Sequence, residues 1–139
     1  MKISKLIKII KEEVNKLIPR IKICKGDFSC RDNDLASLKG APKIVEGYFD
    51  CETNDLISLE GAPKIVGGLF FDCSNNNLPS LKGAPKKVEG HFICAQNDLI
   101  SLEGAPKIVG GSFSCVDNEK KFTEEEVMAV CEVKGKIYV

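Results

Sequence analysis

The sequence predicts an α+β solenoid: a parallel β-sheet along one face, an N-terminal helical cap and a C-terminal helix-plus-strand cap. Two observations carry this. The segment SLEGAPKIVGG occurs at residues 58–68 and again at 101–111, with a variant, SLKGAPK, at 37–43 and 80–86. Cys30, Cys51, Cys73, Cys94 and Cys115 keep step with it, separated by 21, 22, 21 and 21 residues. Periods of about 20 to 30 residues build coils that cannot bury their own faces and must stack. The expectation is one domain over residues 1–139, with a cap at 1–19, five coils at 20–121 and a second cap at 122–139.

In the first cap, Ile3, Leu6, Ile7, Ile10, Val14, Leu17 and Ile18 recur at helical spacing. The helix is expected to end at Pro19 and to cover the first coil with its apolar stripe. The segment is also basic and apolar, like a signal peptide. Lys8, Lys11, Glu12 and Glu13 interrupt it, however, and no small-residue cleavage site follows. The expectation is a cytoplasmic protein.

Aligned on cysteine, the coil reads V-x-G-x-F-x-C-x-x-N-x-L-x-S-L-x-G-A-P-K. The second copy runs through Val45, Gly47, Phe49, Cys51, Asn54, Leu56, Leu59 and Pro63, and the fourth through Val88, Gly90, Phe92, Cys94, Asn97, Leu99, Leu102 and Pro106. The first starts with Cys24 in place of Val, and the fifth breaks where Lys120 replaces Leu. The third carries an extra residue in GGLFFDC, expected as a bulge before Phe71. V-x-G-x-F-x-C alternates with period two, which predicts one short strand with these residues buried. The asparagine is expected to turn its amide onto backbone groups where the chain leaves the strand, forming a ladder. The leucines fill the core from the return path, and G-A-P prevents a long helix there. In the second cap, Thr123-x-x-Glu126 is a capping box opening a helix with Val127, Val130 and Cys131. VKGKIYV is read as a final strand shielding the last coil. Two caps predict a complete domain.

With Phe49, Cys51 and Asn54 in place, the coil resembles the leucine-rich repeat, L-x-x-L-x-L-x-x-N-x-L, with Phe and Cys at two leucine positions. The proline-containing return looks like the short bacterial type, and SLxGAPxxVxGxFxCxxNxL is similar to repeats from bacteriophage and large-virus genomes. The resemblance covers residues 23–118. It implies the solenoid fold, and a host-cytoplasm setting if the chain is phage-encoded. It implies no activity.

Twenty Lys and Arg balance twenty Asp and Glu. A zero net charge argues against a nucleic-acid or membrane partner, and no apolar run reaches the roughly 18 to 20 residues of a membrane span. The five in-step cysteines read as a ladder of small buried side chains. Alternatives are a metal site, which needs convergent ligands, or disulfides between rungs. No metal and no cofactor is expected. The column Asp34, Asp55, Asn77, Asp98 and Glu119 reads as solvated turns. Lys39, Glu60, Lys82 and Glu103 alternate in sign and support register. Lys43, Lys64, Lys86 and Lys107 share one sign; an anion-binding ridge is the functional alternative there.

The outward face of the sheet varies between copies while the inward residues repeat. Tyr48, Asp50, Glu52, Phe70, Asp72, Glu89, His91, Ile93 and Ser112 are the candidate binding residues, aromatic and apolar side chains ringed by acids. Solenoids commonly bind on the concave sheet. The expected function is therefore non-enzymatic binding of a protein partner by a monomer. One alternative is a self-associating structural protein. Another is a hydrolase in which His91 acts with Ser112 and Asp72.

Overall fold

A computed structural model describes the backbone of residues 2–17 and 22–139, with side chains over 2–13 and 22–139. It is a parallel β-solenoid of about six turns at the 21-residue spacing, with two short helices. The alternating segment predicted as one strand makes two. Each turn gives one short strand to each of two six-stranded parallel sheets. The valine sheet stacks β1 (Ile23–Cys24), β3 (Ile44–Val45), β5 (Ile65–Val66), β7 (Lys87–Val88), β9 (Ile108–Val109) and β11 (Glu132–Val133). The phenylalanine sheet stacks β2 (Phe28–Ser29), β4 (Phe49–Asp50), β6 (Phe70–Asp72), β8 (His91–Ile93), β10 (Phe113–Ser114) and β12 (Ile137–Tyr138). The expectation of a sheet on one face alone is thereby corrected.

The glycine between valine and phenylalanine is the physical reason for the break. The chain bends there, and successive bends touch. A Cβ at Gly90 would lie 2.1 Å from the Leu69 carbonyl oxygen, and one at Gly68 would lie 2.1 Å from the Gly47 carbonyl carbon. Gly68 N–H also donates to Gly47 O at 2.9 Å, and Gly111 N–H to Gly90 O at 2.9 Å. The extra residue of the third copy is taken up in this bend, where Leu69 is 74% exposed. Phe71 stays in register with Phe49 and Phe92.

Val45, Val66, Val88 and Val109 are fully buried, as are Leu56, Leu78 and Leu99 on the return path. The phenylalanines form a ladder of rings, with centroids 5.3 Å (Phe28–Phe49), 5.2 Å (Phe49–Phe71) and 5.5 Å (Phe71–Phe92) apart and planes within 8° of parallel. The coil pitch of about 4.8 Å sets that spacing, slightly offset as ring quadrupoles prefer.

The asparagine ladder forms as predicted. Asn54 Nδ2 donates to Cys51 O of its own turn at 3.0 Å and to Cys30 O of the preceding one at 3.1 Å. Its Oδ1 accepts from Asn33 N–H at 3.1 Å and Leu35 N–H at 2.9 Å. Asn76 and Asn97 repeat the donor pattern, and Asn118 continues it. The residue before each asparagine is left-handed: Asp32, Thr53, Asn75, Gln96 and Asp117 have φ between 52° and 57°. Thr53 is the β-branched member and carries the most strain.

The C-terminal region departs from the simple cap. The capping box is present: Glu126 N–H donates to Thr123 Oγ1 at 3.2 Å and Thr123 N–H to Glu126 Oε1 at 3.3 Å, opening α2 (Glu124–Met128). Phe122, Val127 and Cys131 are buried, while Val130 is 38% exposed. VKGKIYV is a sixth turn rather than one shielding strand. Val133 pairs with Val109 in the valine sheet, and Ile137 with Phe113 in the phenylalanine sheet. Its Val133, Gly135, Ile137 and Val139 reproduce V-x-G-x-F-x-C.

At the other end, α1 (Ile3–Leu17) is helical as its period predicts. Its apolar stripe is not on the first coil: Ile3, Leu6, Ile7 and Ile10 are 47–77% exposed. Ile18 and Pro19, and the side chains of Val14 and Leu17, lie outside the described residues. Phe28, Cys30 and Leu35 in the first turn are half-buried.

Two substitutions separate the bend's requirement from ordinary glycine flexibility. Gly90→Ala is expected to lower stability by about 1–3 kcal/mol, because its Cβ meets backbone that cannot move alone. Gly26→Ala, with nothing within 4 Å of the added Cβ, is expected to be near neutral. Chemical denaturation of the two variants checks this. A third variant, Thr53→Asn, relieves a left-handed β-branched residue and is expected to gain up to about 1 kcal/mol in the same assay.

Candidate functional site

The inward residues are consumed by the core, and the outward columns of the phenylalanine sheet vary in chemistry from turn to turn. Register places Asp27, Tyr48, Phe70, His91, Ser112 and Lys136 in the column before the phenylalanines, and Ser29, Asp50, Asp72, Ile93, Ser114 and Tyr138 in the column after. Tyr48 and Phe70 stack across adjacent turns, ring centroids 4.7 Å apart and planes 13° from parallel. Both are half-buried.

Beside them lies an acidic group. Asp50 is only 6% exposed, more buried than an outward position implies. Its Oδ1 accepts from Glu52 N–H at 3.0 Å, and Asp72 Oδ1 accepts from Ser74 N–H at 2.9 Å. Arg31 is the cation of this group, 3.7 Å from Asp50 and 3.2 Å from Glu52. Burial pushes the Asp72 carboxyl above its ordinary range, against the hydrogen bond from Ser74 N–H, which lowers it. Burial and the neighbouring Asp72 charge likewise raise Glu52, with Arg31 opposing. This is a surface with too many acids for its one arginine.

His91 and Ser112 do meet, but not as a nucleophile pair. Ser112 donates its backbone N–H to His91 Nδ1 at 3.0 Å, and its hydroxyl accepts from Lys136 N–H at 3.1 Å. Asp27 Oδ1 treats Tyr48 N–H the same way at 2.9 Å. These side chains satisfy donors that the bend leaves without a strand partner. Asp72 faces Ile93 in register rather than His91. Glu89 is not on this face either. It lies in the bend and pairs with Lys87 of the valine sheet at 3.0 Å. Tyr48, Asp50, Glu52, Phe70, Asp72, His91, Ile93 and Ser112 share the face; Glu89 leaves the set.

Tyr138 is a further member of this face, one that the sequence pattern alone does not single out. With His91, Ile93, Ser112 and Ser114 it lines an open hollow of about 330 Å³. The signal lies in the match of VKGKIYV to the coil pattern, which puts Tyr138 at the outward position after Ile137.

The cysteine column packs as a ladder. All seven cysteines are free thiols. Cys51, Cys73 and Cys94 Sγ donate to the carbonyls of Asp72, Ile93 and Ser114 in the next turn at 3.2–3.4 Å. Burial raises their pKa values well above the ordinary 9.0. Among the described residues, no three His, Cys, Asp or Glu side chains converge as a metal-ligand group. The other columns are surface features: Lys82 and Glu103 pair at 3.7 Å, both mostly exposed, and Asp34, Asp55, Asn77, Asp98 and Glu119 are exposed.

In comparisons with known proteins, the chain matches no family model, and no curated protein or solved structure shows a significant similarity to it.

Two measurements follow from this electrostatics. A carboxyl raised on folding binds its proton more readily in the native state, so Asp72 contributes stability below its unfolded value of 3.8 and loses it as pH rises through the raised one. Asp72→Asn, which keeps the acceptor for Ser74, is therefore expected to raise Tm at pH 7, the gain fading on acidification through the carboxylate range. For the thiols, a maleimide or disulfide reagent at pH 8 is expected to leave Cys51, Cys73 and Cys94 unmodified in the native chain and to react with all three in urea. Peptide mass mapping reads both states.

Proposed function

We propose that this protein is a non-enzymatic binding module that holds a protein partner on the outward face of its phenylalanine sheet. The observation that carries the reading is the stacked Tyr48–Phe70 pair standing outside the core and next to Asp50, Glu52 and Asp72. Aromatic side chains bury large area with few rotors and form the centre of binding patches. Rings beside three carboxyl groups that share one arginine suit a cationic side chain laid over the aromatic face, with the acids behind it. The partner is therefore a protein presenting Arg or Lys among apolar residues. The hollow bordered by His91, Ile93 and Tyr138 extends the patch along the solenoid.

The repeat period, the asparagine ladder and the leucine-lined return path support assignment of the coil to the short leucine-rich repeats of the phage-like type. A host protein in the cytoplasm is the setting that assignment suggests. Self-association is the second reading. It is favoured by one observation, the half-buried Phe28, Cys30 and Leu35 of the first turn, which end-to-end stacking would cover. Light scattering separates it: the binding module is a monomer, and the stacking protein is an oligomer that dissociates on dilution.

Affinity capture tests the main reading with a Tyr48→Ala, Phe70→Ala double variant. This pair is preferable to His91 or Asp72 substitutions, because those side chains also satisfy backbone N–H groups. A partner retained by the native chain and lost at least tenfold by a variant of similar Tm supports binding on this face. Equal retention by both chains contradicts it.

A further inference from the structure

The balanced net charge conceals an uneven distribution. Residues 1–25 carry eight cations and two acids, leaving twelve cations and eighteen acids for the remaining chain. Two surfaces concentrate the positive part, and both combine it with exposed isoleucine.

The first is α1. At 100° per residue, Ile3, Leu6, Ile7 and Ile10 fall on one stripe, and the sequence continues the spacing at Val14 and Leu17. The stripe is uncovered, with Ile3 77% and Ile10 53% exposed. Lys5, Lys8 and Glu12 occupy the opposite face. Lys2 and Lys11 border the stripe, with Glu13 on the Lys2 side; all are exposed. The second surface is the edge of the valine sheet. Lys22, Lys43, Lys64, Lys86 and Lys107 occupy the same position of five consecutive turns, and from Lys43 onward each backbone N–H donates to the carbonyl of the lysine before it at 2.8–3.0 Å. All five are exposed. Beside them runs the column Ile23, Ile44, Ile65, Lys87 and Ile108, in which Ile23 and Ile65 are 44% and 43% exposed. Glu132 continues the isoleucine column in the sixth turn, and Glu89 is held by Lys87 at 3.0 Å. Five like charges stacked at a pitch of about 4.8 Å repel one another, and an anionic surface would offset that cost.

We propose that the protein seats on an anionic membrane surface, with the isoleucine stripe of α1 in the headgroup interface and the lysine column of the valine sheet as a second electrostatic contact. A helix with an apolar stripe between lysines lies in the plane of such an interface, and lysines near an anionic leaflet each strengthen the contact. A polyphosphate such as nucleic acid would engage the lysines and leave the isoleucines in water. A second copy of α1 would cover the isoleucines and leave the lysine column of the valine sheet unused. Only the lipid surface uses both features. The zero net charge, which taken alone argues against a membrane, is the sum of a basic anchor and an acidic body. This inference is independent of the binding face on the phenylalanine sheet.

Cosedimentation of the full chain with large unilamellar vesicles tests it. One set is phosphatidylcholine alone; the other contains about 30% phosphatidylserine, the class of anionic lipid whose field the lysines would feel. The expected result is sedimentation with the phosphatidylserine vesicles only, weakening as salt rises. Ile7→Glu with Ile10→Glu is expected to reduce partitioning at least tenfold, and Lys64→Glu with Lys86→Glu by roughly tenfold. All four positions are exposed, and circular dichroism melting verifies that both variants fold. Failure to sediment with anionic vesicles overturns the proposal. So does binding insensitive to the isoleucine changes but competed by an oligonucleotide, which would make the lysine column a polyanion site. A shift in oligomeric state with the isoleucine variant and no vesicle binding would give the stripe to a second copy, and would also overturn it.

Discussion

From the second turn onward, each asparagine that follows a cysteine ties two turns of the chain together. Asn54 donates from one amide group to the carbonyls of Cys30 and Cys51, in successive turns, and accepts on its oxygen from Asn33 and Leu35. These backbone groups lie where the chain leaves the sheet and runs inside the return path, without strand partners. Buried and unpaired, each would cost about 1–3 kcal/mol. Satisfied, they fix the turn-to-turn register on which the phenylalanine rings, the valines and the leucines stack. The cysteine ladder fits the same logic, since a small side chain beside the asparagine column also donates its thiol to the next turn. The left-handed residue before each asparagine is the conformational cost of aiming the amide inward.

That interlock explains what was legible in the sequence. Core residues were, because the same side chains must recur wherever turns superimpose; Val45, Phe49, Cys51, Leu56 and Leu59 were all expected inside and are fully buried. The two-sheet architecture was not. V-x-G-x-F alternates with period two whether or not the chain bends at the glycine, and only the contact of Gly68 with Gly47, or of Gly90 with Leu69, reveals the bend. The sixth turn was concealed by substitution: Val133, Gly135, Ile137 and Val139 keep the pattern with neither the phenylalanine nor the cysteine that identified it elsewhere. The N-terminal helix was readable from its period. Its burial was not, because periodicity defines a stripe without naming what covers it.

The candidate site follows the same division. Alternation correctly put Tyr48, Phe70 and Ile93 on the outward side. It could not show that His91 lends Nδ1 to the backbone of Ser112, or that Asp50 sits almost fully buried beside Arg31. Glu89 falls outside the site for the same reason that one sheet becomes two: it belongs to the bend, which one continuous strand does not contain. Outward positions thus divide into those that complete the solenoid, Asp27, His91 and Ser112 among them, and those with no such duty. Tyr48 and Phe70 are of the second kind, and for that reason they carry the functional reading.

The central claim is that the asparagine column couples neighbouring turns, so that order in one turn depends on the next. Hydrogen–deuterium exchange of native protein and Asn76→Ala tests it most directly. Asn76 accepts from Leu56 N–H at 3.0 Å and donates to Cys51 and Cys73 carbonyls. The account predicts lost protection at Leu56 and through the second and third turns together, with the last turns less affected. Faster exchange confined to Leu56, with the rest of both turns unchanged, would contradict the coupling.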